Sequence, residues 1–278
     1  MTAEMRYYAR LFGQVLFLDW KKSGVSNMDW PYQGATVLDE DLKVHQIAHV
    51  VACTESNDRY KFGLVSMTSI EPAVHRITKV VFSDRLASES LFFECLRSLG
   101  LAALCNWHLR VQNLGEKIKF HPSKEEIMED FMWTIQNALV SPEQLDANWK
   151  AFLEKWPGAP ALFLASLESQ KHRFCAAYTH KHLLLFQTGN SVAESTNSSI
   201  DAFLNENKPH TELVQVLIQH QTEQNNRERR QLFISTERCK QLPDRLASVS
   251  NCDIRNCLSV MSDTVTDKFK EQLEESLH

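Results

Sequence analysis

Two aspartates occupy the same kind of position and could hold divalent cations. Asp19 follows the apolar run VLFL, and Asp84 follows the run KVVFS. Short, continuous apolar runs are typical of strands that are buried on both faces. If the two strands are neighbours, both carboxylates emerge at one edge of the sheet and repel each other unless a cation compensates. A pair of Mg²⁺ ions would suit them and could promote phosphodiester cleavage. An Asp after a strand is also a common turn or helix-cap residue, so both interpretations stay open.

Glu194 is the candidate third carboxylate. It lies in the sequence GNSVAESTN, residues 189–197, which is predicted to open a helix. Ser191 and Glu194 also fit a capping box, in which the glutamate accepts a hydrogen bond from the Ser191 backbone N–H. One carboxylate cannot easily serve as both cap and metal ligand, and the sequence alone does not decide between them.

Two further groups have ligand-binding chemistry. Cys105 and His108 have the Cys-x2-His spacing of a zinc half-site. A structural zinc needs four ligands, and the sequence offers no convincing second half, so a buried thiol is the simpler interpretation. Lys171, Arg173 and Lys181 form the most basic locality near Glu194. They could contact phosphates, although a solvated face explains them equally well.

The elements that would position these residues have an α/β order. Strands are predicted at residues 14–20, 32–38, 44–53, 79–83 and 101–105, and helices at 59–70 and 87–99. The first of these helices has apolar residues at Phe62, Val65 and Ile70 and is ended by Pro72. Three strands, helix, strand, helix, strand is the order of the ribonuclease-H-like fold, and a mixed sheet of another topology would also fit. We therefore predict a mixed five-stranded sheet with flanking helices.

The character of the sequence changes at Pro122. Amphipathic helices without strand signals follow, and Trp133, Trp149 and Trp156 are predicted to bury them against each other. A later helix should bury a stripe that begins at Leu213 and ends at His220. The predicted organisation is a first core segment (1–121), an all-helical insertion (122–187), a core completion that carries the third acid (188–225) and a helical tail (226–278).

Composition limits the class of protein. The 278 residues are 43% hydrophobic and 23% charged, which is ordinary for a globular chain and excludes wholesale disorder. The net charge of −5 provides no global basic field, so any surface for nucleic acid must be local. No signal peptide or membrane span is evident, and the seven cysteines are expected to be thiols in a reducing compartment.

Together these pieces resemble the Mutator-like element (MULE) transposases, from about residue 15 to residue 219. The block that contains LFLDW is similar to the first-aspartate strand of that family, and the block that contains KVVFSD is similar to the second-aspartate strand. CNWH looks like its C-x2-H element, and GNSVAESTN like its third acidic element. Four blocks in order, at compatible spacing, are more specific than any one of them.

The resemblance implies a DDE-type catalytic core with a ribonuclease-H-like fold in a nuclear protein. Asp19, Asp84 and Glu194 would be its acidic triad and bind two Mg²⁺ or Mn²⁺ ions, with Cys105 and His108 in an accessory role. Its substrates would be the terminal inverted repeats of a transposon and a target DNA. Water would cleave the strand, and the freed 3′-hydroxyl would attack the target. A homo-oligomer is compatible with this family.

Some features depart from the family pattern. The chain reaches its first catalytic strand by residue 15, without the zinc-binding domain that many relatives carry before it, and it has no Cys-x-Cys or Cys-x-His knuckle pair. A truncated copy or an adopted gene product would explain both. The alternative function is therefore a non-transposing DNA- or protein-binding module, similar to a transcription regulator. A ribonuclease-H-like nuclease of another kind is a third alternative, which the helical insertion and the C-x2-H element disfavour.

Overall fold

The computed structural model describes the parts of the chain that carry the sheet and most of the following helices. These are residues 1–21, 31–52, 56–84, 88–157, 160–185, 187–189, 191–193, 196, 212–213, 215–223 and 226–227. The strands are β1 (Val15–Lys21), β2 (Tyr32–Leu38), β3 (Val44–Val51), β4 (Val80–Ser83) and β5 (Leu101–Leu104). The α-helices are α1 (Ala3–Phe12), α2 (Asn57–Ile70), α3 (Pro72–Ile77), α4 (Glu89–Cys95), α5 (Lys124–Gln136), α6 (Pro142–Lys155), α7 (Ala161–Glu168) and α8 (Ala176–Thr179). A π-helix spans His108–Gly115, and a 3₁₀ turn spans Lys171–Arg173.

The five strands form one mixed sheet in the order β3-β2-β1-β4-β5. β2 pairs antiparallel with both β1 and β3, whereas β4 pairs parallel with both β1 and β5. The parallel pairs need crossover connections, which the helices between the strands supply. Burial of β4 and β5 along their whole length explains why their sequences read as continuous apolar runs. The predicted α/β class with a mixed five-stranded sheet is confirmed.

Helices α1 to α4 contribute to a core that the sheet shares through Leu16, Leu18 and Val81. The side chains of α2 that enter this core are Tyr60, Leu64 and Met67. Phe62, Val65 and Ile70, the apolar residues noted in this helix from the sequence, instead face outward and are 55%, 46% and 48% exposed. Gly63 also faces the sheet closely, since a Cβ there would lie 2.9 Å from Gln33 Oε1.

The second face of the sheet presents Phe17 and Phe82, whose rings stack 5.2 Å apart between centroids. Val192 and Ala193 pack against these rings, so the short helical segment at residues 191–193 covers this face. Along the helix at residues 215–223, Val216, Leu217 and His220 are buried as predicted, as is Leu213 just before it.

The described residues between 122 and 187 contain helices and turns and no strand, in agreement with the predicted all-helical insertion. Their own core centres on Trp149, which contacts Phe131 and Phe152. Trp156 is partly buried, and its indole N–H donates to Asp130 Oδ2 at 2.7 Å. The prediction for Trp133 is wrong, since its side chain faces solvent and is 64% exposed. None of the helices in the described ranges is long and apolar enough to cross a membrane.

Candidate metal-binding site

Asp19 lies near the carboxyl end of β1, and Asp84 directly follows β4, the parallel strand beside it. Phe17 of β1 is level with Phe82 of β4, and each aspartate follows its phenylalanine by two residues. Adjacent strands are about 4.8 Å apart, so extending this register places the two backbones side by side. β5 lies on the other side of β4, and their hydrogen bonding extends beyond both strands, because the Cys105 N–H donates to the Ser83 carbonyl at 3.0 Å. The backbones of both predicted aspartates thus lie at the same end of the sheet, while their side chains contact different residues, His108 for Asp19 and Tyr60 for Asp84.

Asp19 is a buried carboxylate, with 6% of the residue exposed. Since side chains alternate along a strand, it is on the same face of the sheet as Phe17. Its Oδ1 lies 3.9 Å from His108 Nε2, close enough for an ion pair when the imidazole is protonated. Tyr32 on β2 is also affected: burial raises its pKa well above the usual value, and the negative charge of Asp19 raises it further.

Asp84 is held by a residue that the sequence did not single out. The Tyr60 hydroxyl donates to Asp84 Oδ1 at 3.0 Å. Tyr60 is fully buried on α2, where its ring packs edge-on against Trp20 of β1. A rigid buried tyrosine therefore fixes one oxygen of Asp84. The helical spacing of Tyr60, Leu64 and Met67 is compatible with a buried tyrosine, but the sequence analysis did not identify it, and nothing in the sequence indicated its partner.

Glu194, the predicted third acid, lies outside the described residues, so its position relative to the aspartates and the capping-box alternative are both untested. The structure does describe residues 187–189 and 191–193, which lie just before it. The Asn106 N–H donates to the Thr188 carbonyl at 3.1 Å, and Gly189 packs on Cys105. The segment that leads to Glu194 therefore passes the end of β5. It then reaches the sheet face that carries Phe17, where Ala193 is fully buried.

Cys105 and His108 connect this segment to the first aspartate. Cys105 is fully buried at the end of β5, and a Cβ on Gly189 would lie 2.7 Å from its sulfur. His108 begins the π-helix, next to Asp19. Cys95, Cys105 and Cys175, the cysteines in the described ranges, are all buried thiols outside any disulfide. Among those residues no group of three or more His, Cys, Asp or Glu side chains could hold a metal, so a zinc site at Cys105 and His108 lacks further ligands there.

The prediction of a basic surface is wrong for Lys171 and Arg173, because both side chains are buried. Lys171 is buried, and its ammonium pairs with Asp146 and lies 5.8 Å from the centre of the Trp149 ring. Arg173 is 3% exposed, and its Nε donates to the Ala102 carbonyl of β5 at 2.7 Å. Lys171 therefore joins two parts of the helical insertion, and Arg173 joins the insertion to the sheet, so neither side chain faces solvent. Lys181 is exposed, and its predicted phosphate contact stays a prediction.

The donor chemistry of Asp19 and Asp84 fits a hard divalent cation. Carboxylate oxygens are what Mg²⁺ and Mn²⁺ prefer, and two carboxylates that lie close together repel each other unless a cation balances them. Comparison with known proteins gives no support from relatives: no protein-family model matches the chain, and no curated protein matches it. The interpretation of the site rests on the residues themselves.

Proposed function

We propose that this chain is the catalytic core of a DDE-type DNA transposase, related to the Mutator-like elements, with a ribonuclease-H-like fold. The observation that supports the proposal is the parallel pairing of β1 and β4, in which Phe17 is level with Phe82, two residues before Asp19 and Asp84 respectively. The order of three strands, helices, strand, helix and strand supports it. In this proposal the substrates are transposon ends and target DNA, and the protein acts in the nucleus.

Asp19 and Asp84 would hold the cations, with Glu194 as the third acid. Mg²⁺ or Mn²⁺ ions, when bound, polarise the phosphodiester and favour attack by water or by a 3′-hydroxyl. Burial of Asp19 excludes bulk water from its carboxylate, which strengthens its electrostatic interactions. Tyr60 orients Asp84 by donating to one of its oxygens. His108 would place a proton donor beside Asp19, on the side where the π-helix begins.

The test is Mn²⁺-dependent nicking of supercoiled plasmid by the full chain. Asp19→Asn and Asp84→Asn should each lower the nicking rate by at least about a hundredfold, because each removes a carboxylate from a site that must balance several positive charges. Asp58→Asn is the matched control, since Asp58 lies exposed in the first turn of α2. This control should leave the rate unchanged.

Tyr60→Phe tests whether Tyr60 acts by positioning Asp84 or only by packing in the core. It removes the hydroxyl that donates to Asp84 and keeps the buried ring. We expect a higher Mn²⁺ concentration for half-maximal nicking, with little change in thermal stability. Nicking that needs no metal, or that survives Asp84→Asn, would contradict the proposal. DNA binding without metal-dependent cleavage by the unaltered chain would instead favour the non-transposing binding module.

A further inference from the structure

A basic cluster lies at the amino ends of β4 and β5, and its members are the exposed residues Arg76, Lys79, Arg97 and Lys181. The Gly100 N–H donates to the Lys79 carbonyl at 2.8 Å, just before the two strands begin. The Ser98 hydroxyl donates to the Arg76 carbonyl, so the turn after α4 is joined to the end of α3. About 16 Å of strand separates Lys79 from the backbone of Asp84, which follows the other end of β4.

The segment that carries Lys181 packs against the same turn. A Cβ on Gly100 would lie 3.5 Å from His182 Nδ1 and 3.5 Å from the Lys79 carbonyl oxygen. His182 therefore lies beside the start of β5, and Lys181 is its exposed neighbour. Burial lowers the pKa of His182, and the positive charge of Lys181 lowers it further. Three separate parts of the chain thus contribute to one positively charged surface.

No acidic side chain in the described ranges forms an ion pair with the basic cluster. Two acids close to it in the sequence already have other partners. Lys61 donates to Glu94 Oε2 at 2.8 Å, and Arg10 donates to Glu71 Oε2 at 2.7 Å. Because the whole chain has a net charge of −5, the basic cluster is a local excess of positive charge on an acidic protein.

The exposure of these side chains points to a large anionic partner. A small anion is held by donors that converge in an enclosed pocket, whereas the members of the basic cluster are exposed and belong to separate segments. Duplex DNA carries one negative charge per about 1.7 Å of helix axis, so it meets several separated cations at once. Each neutralised phosphate releases counterions, which gives affinity without a shaped pocket.

We propose that the basic cluster binds the phosphate backbone of duplex DNA, at the end of the sheet opposite Asp84. Its arginines and lysines donate to phosphate oxygens and do not read the base sequence. The choice of DNA among large anions rests on the proposed function. That reaction uses two DNA segments, and a surface at this distance from Asp84 holds a segment that is not being cleaved.

The test is fluorescence anisotropy of a labelled duplex of about 20 base pairs with the full chain in EDTA, at salt concentrations between about 50 and 200 mM. Four phosphate contacts should weaken binding by at least about a hundredfold across this range. The variant used to test them combines Arg76→Gln, Lys79→Gln, Arg97→Gln and Lys181→Gln. It should reduce the slope of log affinity against log salt by about 3 to 4, and Lys181→Gln alone should reduce it by about 1.

The matched control replaces four exposed cations outside the basic cluster: Arg6→Gln, Lys117→Gln, Lys119→Gln and Lys150→Gln. It changes the net charge of the chain equally, so it separates a local contact from the overall field. The control should keep the slope of the unaltered chain. The side chains of the basic cluster form no hydrogen bond within the described ranges, so their replacement should leave the melting temperature nearly unchanged. If the fourfold variant fails to fold, Lys181→Gln still decides.

Three results would overturn the proposal: no binding of the duplex by the unaltered chain, equal slopes for the two fourfold variants, or binding of phosphatidylserine vesicles but not of the duplex. Because EDTA removes the cations, duplex binding is measured apart from cleavage. Binding that depends on the basic cluster, with nicking that does not depend on Asp19 or Asp84, would overturn the proposed function alone. Nicking that depends on both aspartates, with equal slopes for the two fourfold variants, would overturn only the basic cluster.

Discussion

Mild acid should destabilise the folded protein through His49 on β3. The Tyr32 hydroxyl and His49 Nδ1 are 2.7 Å apart, and Nε2 of the imidazole is enclosed, without a hydrogen-bond partner in the described ranges. Burial is the largest effect on this group, and the neighbouring charge of His220 adds to it. Together they lower the pKa of His49 from 6.5 to about 3. The native imidazole is therefore neutral at pH values where a histidine in the unfolded chain is charged.

The size of the effect follows from this difference in pKa. A depressed native pKa means that the unfolded chain binds the extra proton, so the stability from His49 is present above pH 6.5 and is lost as the pH falls. At about pH 5 the unfolded histidine is almost fully protonated, and the resulting loss in the free energy of unfolding is about 2 kcal/mol. That is a substantial part of the total stability of a typical domain.

Urea denaturation at several pH values between about 8 and 5 measures this loss. His49→Gln removes the imidazole and keeps an amide that can bond Tyr32. The variant should be less stable near pH 8, but its deficit should shrink by about 2 kcal/mol at about pH 5. His180→Gln, at an exposed position, is the control and should follow the pH dependence of the unaltered chain. Parallel pH profiles for His49→Gln and the unaltered chain would refute the reasoning.

Three further predictions concern packing and reactivity. Trp149→Ala should lower the free energy of unfolding by about 3–5 kcal/mol in denaturant titrations, because the indole is fully buried. Trp133→Ala, at an exposed position, should change it by less than about 0.5 kcal/mol. Gly189→Ala should cost about 1–3 kcal/mol, because its Cβ would lie 2.7 Å from Cys105 Sγ. An undiminished cost in a Cys105→Ala background would contradict that contact. Burial raises the pKa of Cys175 to about 12. Its alkylation by iodoacetamide near neutral pH, followed by peptide mass spectrometry, should therefore be much slower than in the urea-unfolded chain.

The sheet could be predicted from the sequence because its strands are buried on both faces. Buried parallel strands need apolar side chains at every position, and the runs before Asp19 and Asp84 have them. If β1 and β4 are neighbours, the two aspartates that follow these runs must lie at the same end of the sheet, as the pairing of the strands shows for their backbones. The rotation of α2 could not be predicted, because apolar residues lie all around it. The residues that face inward, Tyr60, Leu64 and Met67, are selected by contacts with distant parts of the chain, and spacing along the helix does not reveal those contacts.

The basic residues show a second limit of sequence reasoning. Lysine and arginine are almost always exposed, so Lys171 and Arg173 were expected at the surface. Both are buried because tertiary partners exist for them: Asp146 lies on α6, and the Ala102 carbonyl lies on β5. Neither partner is detectable from spacing. The same holds for Tyr60 and Asp84, which only the packing of α2 on the sheet brings together.

The bond from Arg173 to the Ala102 carbonyl has a consequence for solubility. β5 is the last strand of the sheet, and an uncovered last strand offers its backbone groups to a strand of another molecule. Here a guanidinium already occupies one of those carbonyls, and the segment that carries it lies against β5. The helical insertion thus blocks pairing of β5 with a strand of another molecule. Chains that lack the insertion should form intermolecular sheet and aggregate, whether or not they keep any catalytic activity.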